Sequence, residues 1–236
     1  MQLMERDRLL LNDLALHHLM TRVQITSLGY FPSASRASAR LVKLQRAGLI
    51  RQVQPSPFIV SKEHLYVVAK GAMSVLDSRI ARLLVARSFT PRFIDHALAT
   101  VNLRCTLLRL GLEAWWAEPQ IRHTYEVRIG SRSRVEDFRP DGLALIDGLY
   151  IFVEVDRGNT SLPRFIAKLS SYSAYLDRGL FAQTYPAEAF TLLVSATGHL
   201  RKRHLLAALP KSLRFPVFVT TESEVKQATS LAEVLR

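Results

Sequence analysis

The dipeptide Asp147-Gly148 stands between two apolar runs, at residues 143–146 and 149–153, and constrains the fold more than any other feature. Asp-Gly is typical of a two-residue type I′ turn, because both positions of that turn have positive φ. The turn would pair Ile146 with Leu149, so that the numbers of every cross-strand pair add up to 295. Because both faces of the strands are apolar, the sequence predicts a hairpin buried in the middle of a sheet.

This register brings acidic residues together at the open end of the hairpin. Asp141 would lie directly opposite Glu154, and directly opposed Cβ atoms are about 4.5–5.5 Å apart. Asp156, two residues beyond Glu154, would point from the same face of its strand. We therefore expect Asp141, Glu154 and Asp156 to converge.

Opposed carboxylates are destabilising unless they share a proton, a basic partner or a cation. A divalent ion such as Mg²⁺ (or Mn²⁺) is suited to the position, because it takes carboxylate oxygens and keeps waters for a phosphate substrate. The alternative is that Arg139 or Arg157 neutralises an ordinary surface cluster. The apolar surroundings favour the metal, since unpaired charge is costly there. The sequence thus indicates a metal site formed by Asp141, Glu154 and Asp156.

Helical periodicity predicts three helices at the start of the chain, over residues 5–20, residues 22–28, and from Ser33 or Ser35 to Gly48. Strand-like runs follow at residues 49–53, 58–60 and 65–68, with a Pro-Ser-Pro tip between the first two. Three helices followed by a hairpin is the arrangement of a winged helix-turn-helix, which we therefore predict for residues 1–90.

The third helix would carry a small and basic exposed face. The residues of that face are Ser35, Arg36, Ser38, Ala39, Arg40 and Lys43. Small residues let a helix approach the DNA major groove, and Arg and Ser reach base edges or phosphates. The first 90 residues also hold a net charge of +8 out of +12 for the chain, which favours a polyanionic partner. The alternative is a module for protein pairing with a merely solvated basic face.

Periodic apolar residues from Met73 to Leu84 predict a connecting helix over residues 70–90, ended by Thr90-Pro91. Such a helix either tethers a second domain or supports a homodimer. Residues 91–236 then alternate between strand and helix patterns, which predicts a mixed α/β domain. The predicted elements are helices at 94–110, 160–176 and 199–209, strands at 112–117, 190–194 and 215–219, and a basic loop at 128–139.

Two basic features of this second domain have open interpretations. Lys168 flanks the buried stripe of the helix at 160–176, where it could reach a scissile phosphate or only improve solubility. The run of residues 201–204, Arg-Lys-Arg-His, fits either phosphate contact or a solvated helix face.

Pro140-Asp141 followed by Glu154-Val155-Asp156 resembles the motif of the PD-(D/E)XK nucleases. The resemblance implies a restriction-endonuclease-like mixed sheet in which Asp141 and Glu154 hold Mg²⁺. The family has Lys where this chain has Asp156, and some members relocate that Lys to the following helix. The resemblance therefore makes Asp141, Glu154, Asp156 and Lys168 the candidate catalytic residues.

The chain as a whole is more specifically similar to the replication-relaxation family of plasmid and mobile-element proteins. The similarity rests on the predicted winged helix, His96, Asn102, the Arg-Pro-Asp-Gly block at 139–142, Glu-Val-Asp-Arg-Gly at 154–158, and Lys168-Leu169 with Tyr172. It implies a role in plasmid replication, transfer or control. His96 and Asn102 also fit ordinary core or capping roles.

Three functions follow from these patterns. The first is a Mg²⁺-dependent endonuclease or nickase directed to double-stranded DNA by the N-terminal module. The second is a non-catalytic DNA-binding regulator or replication accessory factor, which the missing Lys at Asp156 favours. The third and weakest is an RNA-directed enzyme, because the interleaved aromatic residues of RNA-binding platforms are not evident.

Composition excludes several other classes. The one cysteine, Cys105, allows neither an internal disulfide nor a cysteine zinc cluster. The N-terminal residues do not resemble a signal peptide, and no apolar run approaches the ~20 residues that span a bilayer. We therefore expect a cytoplasmic protein without a membrane partner.

Overall fold

The computed structural model describes residues 2–54, 63–83, 89–129 and 132–236. The chain divides into two compact units, Met1–Cys105 and Thr106–Arg236. This division falls within one long helix, Pro91–Arg109. The domain limits 1–90 and 91–236 remain a prediction from the sequence.

The first unit combines helices with a small antiparallel sheet. Its strands are ordered β1-β3-β2, with β3 in the middle. The elements are α1 (Glu5–His17), β1 (Met20–Thr21), α2 (Arg22–Ser27), α3 (Ala34–Arg46), β2 (Ile50–Val53), β3 (Leu65–Val68), a 3₁₀ turn at Lys70–Ala72, and α4 (Ser78–Leu83).

Local capping explains where α2 and α3 begin and end. The hydroxyl of Thr21 accepts a hydrogen bond from the backbone N–H of Gln24, whose side chain accepts one from Thr21 in return; together they form a capping box. Ser33 caps α3 by accepting from the N–H of Arg36. Gly48, at φ 70°, follows the last turn as the sequence predicts.

The core of the first unit forms where apolar faces of α1 and α3 meet the sheet. Leu10, Leu14, Leu41, Leu44 and Ile50 are at most 1% exposed. Burying a leucine side chain contributes about 1.5–3 kcal/mol. This cluster therefore contributes to the stability of the unit.

One prediction for the first unit is wrong, and another lies outside the described residues. The predicted continuous helix over residues 70–90 is wrong, because Asp77 accepts a hydrogen bond from the N–H of Arg79 and so begins a separate helix, α4. Residues 84–88 and the predicted strand at 58–60 lie outside the described residues. Thr90, which caps Phe93 with its hydroxyl, begins the next helix at Pro91.

The described part of the second unit contains two sheets and six helices besides the end of a longer helix. The helix α5 (Pro91–Arg109) leads into it. The further elements are β4 (Leu112–Ala117), α6 (Glu118–Ile121), β5 (His123–Ile129), β6 (Arg132–Phe138), β7 (Gly142–Ile146), β8 (Leu149–Asp156), α7 (Leu162–Asp177), α8 (Leu180–Thr184), β9 (Thr191–Ala196), α9 (His199–Ala207), β10 (Val217–Thr221), α10 (Glu222–Gln227) and α11 (Leu231–Val234).

The main sheet is mixed, with the strand order β10-β9-β8-β7-β4. Strands β8, β9 and β10 are parallel, whereas β7 runs antiparallel to both β8 and β4. The predicted mixed α/β fold class is confirmed. No helix in the described ranges has the length and apolar character required to cross a membrane.

The predicted hairpin forms with the predicted register. Ile146 pairs with Leu149 and Gly142 with Val153. Asp147 and Gly148 have φ values of 50° and 73°, as a type I′ turn requires. The dipeptide thus fixes which residues of β7 and β8 face each other.

The predicted basic loop at residues 128–139 is wrong. Most of it forms β6, which pairs antiparallel with β5 from His123↔Phe138 to Ile129↔Arg132. A two-stranded ribbon is marginal alone, and this one packs on α7, where the rings of Phe138 and Tyr175 stack at 4.2 Å. The strand is hard to see in sequence because the apolar face that fixes it is small.

Candidate active site

Asp141 directly precedes β7 and continues its pairing with β8 by one residue. Its backbone N–H donates to the carbonyl of Val153 at 3.2 Å. Its Oδ2 accepts from the backbone N–H of Val155 at 2.7 Å. These two contacts fix Asp141 across from Glu154, as the register predicts.

Glu154 lies near the end of β8 and is only 8% exposed. Its Oε2 accepts a hydrogen bond from the Nζ atom of Lys168, and its Oε1 accepts one from the hydroxyl of Tyr172. Both donors come from α7, four residues apart and therefore on one face of the helix. The helix that follows the motif thus supplies a cation to its central carboxylate.

Electrostatics couple these side chains. Burial raises the pKa of Glu154 to about 7; Lys168 opposes the rise and Asp141 adds to it. Burial lowers the pKa of Lys168, but the attraction of Glu154 and Asp141 outweighs it, so that the pKa lies above its usual value. Burial and the neighbouring Glu154 raise the pKa of Tyr172. The ammonium group therefore stays charged, and 38% of the Lys168 side chain is exposed.

Asp156 is engaged elsewhere. Arg201 on α9 donates to both of its oxygens, from Nε at 2.9 Å and Nη2 at 2.7 Å, and the N–H of Gly158 donates to Oδ1 at 2.7 Å. In the described ranges no three or more His, Cys, Asp or Glu side chains are grouped to hold a metal ion. The structure thus brings Asp141 and Glu154 together and places Asp156 in a separate ion pair.

The two arginines proposed to neutralise the carboxylates have other partners. Arg139 pairs with Asp137 at 2.6 Å, and Arg157 pairs with Glu222. The cation bound to Glu154 is Lys168. Asp141 and Glu154 offer hard carboxylate oxygens from adjacent strands, a donor set that fits Mg²⁺ or Mn²⁺.

The residues predicted to contact DNA from α3 fall into two groups. Ser35, Arg36 and Lys43 are exposed. Ser38 accepts a hydrogen bond of 2.8 Å from Arg22 and donates to the carbonyl of Ala34.

Arg40, in contrast, forms an ion pair within the unit. Its Nε and Nη2 atoms donate to the two oxygens of Asp7, which is 0% exposed. Burial opposes ionisation of Asp7, but the hydrogen bonds from Arg40 and from the N–H of Met4 lower its pKa. Arg40 is therefore held by a buried carboxylate that lies 33 residues away in sequence, so no local pattern indicated this pair.

Two residues of α5 that support the family resemblance, His96 and Asn102, take part in hydrogen bonds within the first unit. Asn102 accepts a hydrogen bond of 2.8 Å from Gln24, which also donates to the carbonyl of Leu98. The carbonyl of His96 accepts from the hydroxyl of Thr100. Asn102 thus ties α5 to α2.

The basic run on α9 is partly used in ion pairs. Arg201 binds Asp156, and Lys202 binds both oxygens of Glu224 at 2.9 Å. Arg203 and His204 are exposed. Half of the run is therefore committed to the fold of this unit.

Sequence reasoning missed two partners of the motif. The role of Tyr172 could have been found from its i,i+4 spacing after Lys168, which puts both on the face of α7 that meets β8. Arg201 has no local signal, because it lies 45 residues beyond Asp156 and meets it only through the pairing of β8 with β9.

The chain thus has a mixed α/β fold. The β7–β8 hairpin in its main sheet holds Asp141 and Glu154, and α7 brings Lys168 to them. The sequence model of the replication-relaxation family matches residues 11–188 of the chain. The chain belongs to the replication-relaxation family. The matched segment includes Asp141, Glu154 and Lys168.

Other comparisons are sparse. No curated protein matches the chain. Among solved structures, it is similar to the crystal structure of protein VC1899 from Vibrio cholerae, with 10% sequence identity and a TM-score of 0.36, over 97% of this chain and 52% of that one. The chain spans about half the length of that protein.

Proposed function

We propose that this protein is a Mg²⁺-dependent DNA endonuclease or nickase of a plasmid or mobile element. The observation that carries the proposal is the arrangement of Asp141 and Glu154 on neighbouring strands, with Lys168 donating to Glu154. Two carboxylates can hold a metal ion that assists hydrolysis of a phosphodiester, and a nearby lysine adds a positive charge for the phosphate. Membership of a replication-related family agrees with DNA as the substrate.

Asp141 and Glu154 would hold the ion, which when bound orients the phosphate, activates water and stabilises the leaving oxygen. The chain prepares this site in advance: β8 fixes Asp141 through the N–H of Val155, and Tyr172 fixes one oxygen of Glu154. The ammonium group of Lys168 is charged and partly exposed, so that it can contact a phosphate oxygen or orient the attacking water.

The first unit would bind double-stranded DNA. Its element order, α1-β1-α2-α3-β2-β3 with a three-stranded antiparallel sheet, supports the interpretation as a winged helix. Helix α3 would enter the major groove with Ser35, Arg36 and Lys43, which are exposed. The excess of positive charge in this part of the chain would add contacts to phosphates.

A non-catalytic DNA-binding regulator is the second candidate. The ion pair between Asp156 and Arg201 favours it, because Asp156 stands where the motif that this chain resembles has lysine and is held there by Arg201. In that case the second unit would serve dimerisation or further contacts to the DNA backbone, and no metal would be needed.

Cleavage of a supercoiled plasmid distinguishes the two candidates. The parent should nick or linearise the plasmid with Mg²⁺ or Mn²⁺ but not with EDTA. Asp141→Asn, Glu154→Gln and Lys168→Ala should each reduce cleavage by about 100-fold or more, as expected when a catalytic group is removed, while DNA binding in EDTA stays within about two-fold.

Asp177→Asn is the matched control, because Asp177 is an exposed carboxylate that pairs on the surface with Arg214. It should cut like the parent. Parental cleavage by the Asp141 and Glu154 variants would contradict the proposal. Binding without cleavage in any metal would leave the regulator as the function.

A further inference from the structure

Two arginines share one carboxylate at the base of the β5–β6 hairpin. Arg122 donates to both oxygens of Asp137, from Nε at 3.0 Å and Nη2 at 3.3 Å. Arg139 pairs with Oδ2 of the same residue at 2.6 Å. We call this group of Arg122, Asp137 and Arg139 the arginine fork.

The arginine fork has a net positive charge, and its side chains are partly exposed to solvent. The side chains of Arg122, Arg139 and Asp137 are 41%, 44% and 37% exposed. Hydrogen bonds from both arginines lower the pKa of Asp137 against the opposing effect of burial, so that the carboxylate is ionised and the group has two cations for one anion. Each guanidinium has five N–H donors, more than Asp137 can accept.

The chain path places the arginine fork beside the candidate active site. The chain leaves the main sheet after Ala117, which pairs with Gly142, and returns to it at Gly142. Arg122 and Arg139 stand at the two ends of the hairpin inserted there. Arg139 precedes Pro140, which favours an extended backbone, and two extended residues place it within about 7 Å of Asp141 along the chain.

The sequence adds positive charge farther along the same hairpin. Arg128 lies on β5, and Arg132 and Arg134 lie on β6. No acidic residue occurs between Val127 and Val135. The sequence of the hairpin thus adds positive charge to that of the fork.

We propose that the arginine fork binds a phosphate of the DNA backbone that flanks the phosphate held at Asp141 and Glu154. This inference rests on the proposed function and deepens it, since it assigns a substrate contact beside the reacting group. A planar guanidinium binds two phosphate oxygens at once, which positions a strand as well as attracting it. Asp137 accepts hydrogen bonds from both guanidinium groups and therefore competes with the phosphate for them.

Binding of the full-length chain to a DNA duplex, measured by fluorescence anisotropy in EDTA, tests this proposal without cleavage. Arg122→Ala and Arg139→Ala should each weaken binding by about 5-fold and lower the slope of log K against log[salt] by about 1 for each phosphate that is no longer bound. Arg214→Ala removes the same charge from an ion pair that is more exposed, and should change binding by less than about two-fold.

Asp137→Asn separates a binding role from a structural one. If the fork contacts phosphate, removing the competing carboxylate should tighten binding by about 2-fold or more. If the three residues only clamp the base of the hairpin, the same change should leave binding unchanged or weaken it. Weaker or unchanged binding of Asp137→Asn, or parental binding of both arginine variants, would overturn the proposal.

The DNA-binding measurement tests the arginine fork whether or not the protein cleaves DNA. Loss of binding in the arginine variants of a protein that never cleaves would support the fork and remove the endonuclease. Cleavage that depends on Asp141 and Glu154, together with parental binding and cleavage in Arg122→Ala and Arg139→Ala, would support the endonuclease and remove the fork.

Discussion

The Oδ2 atom of Asp141 accepts a hydrogen bond of 2.7 Å from the backbone N–H of Val155, the residue that follows Glu154 in β8. Hydrogen bonds to charged acceptors contribute about 1.5–3 kcal/mol. Asp141 is therefore part of the strand pairing as well as a charge beside Glu154. The two roles can be separated, because asparagine keeps an acceptor oxygen and loses the charge.

We expect Asp141→Asn to leave the free energy of unfolding within about 1 kcal/mol of the parent, and Asp141→Ala to lower it by about 1–3 kcal/mol, because only alanine removes the acceptor for Val155. Urea unfolding measures both. Asp141→Asn should still abolish metal-dependent cleavage. Equal destabilisation by the two variants would show that the contact does not hold the hairpin.

The free energy of unfolding should fall as the pH rises toward the pKa of Glu154. Its pKa is about 7 in the folded chain against an ordinary value of 4.5. The folded state therefore binds this proton more tightly, so that the stabilisation is complete below about pH 4.5 and is lost as the pH approaches 7. At 1.36 kcal/mol per pKa unit, the loss is at most about 3 kcal/mol.

Chemical unfolding of the parent and of Glu154→Gln across pH 4.5–7.5 measures this contribution as the difference between the two slopes. Glu188→Gln, at an exposed position, is the control and should follow the parent. Parallel curves for the parent and Glu154→Gln would contradict the raised pKa.

Tyr172→Phe should remove one donor from Glu154 and little else, because the ring is 0% exposed and stays packed among aromatic neighbours. We expect a loss of about 1.5–3 kcal/mol in unfolding free energy. The pKa of Glu154 should rise further, since the hydroxyl now lowers it. Tyr125→Phe, which loses a 3.3 Å bond to the carbonyl of Ser171, should cost less than about 1.5 kcal/mol; equal losses would count against a special role of Tyr172.

Gly142 is required by the close approach of Trp115. A Cβ at this position would lie 2.5 Å from Cζ2 of the indole and 3.0 Å from Cγ2 of Val153. Gly142→Ala should therefore destabilise the chain by about 1–3 kcal/mol, as overpacking does, and disturb the adjacent Asp141. Gly198→Ala, where a Cβ would meet nothing within 4 Å, should cost less than about 1 kcal/mol. Thermal unfolding and cleavage rates measure both effects.

Arg36 and Arg40 lie on one helix but should respond differently to alanine. Arg36→Ala should weaken DNA binding and leave stability unchanged, because the side chain is exposed. Arg40→Ala leaves the buried Asp7 without its counterion and should lower the free energy of unfolding by about 3–5 kcal/mol. Calorimetry together with DNA binding checks both; a stable Arg40→Ala with weak binding would restore Arg40 as a DNA-binding residue.

Local signals predicted the parts of the fold that are fixed by short-range chemistry. The Asp147-Gly148 turn determined the β7–β8 register, and with it the position of Asp141 across from Glu154. The helix Leu162–Asp177 followed from its apolar spacing and from Pro163 in its first turn. These features depend on residues that are neighbours in sequence.

Long-range pairing escaped prediction. β6 reads as a polar loop because its stabilising contacts come from α7. Arg40 reads as a surface residue because Asp7 is brought to it only by the packing of α1 against α3. The sequence predicts Asp156 as a third metal ligand because no residue near it in sequence indicates the ion pair with Arg201.

The ion pair of Asp156 and Arg201 also limits where the chain can be truncated. The family match ends at residue 188, before the β9 strand that pairs along β8 and before the helix that carries Arg201. A protein trimmed to the shared segment would expose one side of β8 as an unprotected edge and leave a buried carboxylate uncompensated. The segment that the family model matches is thus smaller than the segment that the pairing of β8 with β9 and the ion pair of Asp156 with Arg201 join together.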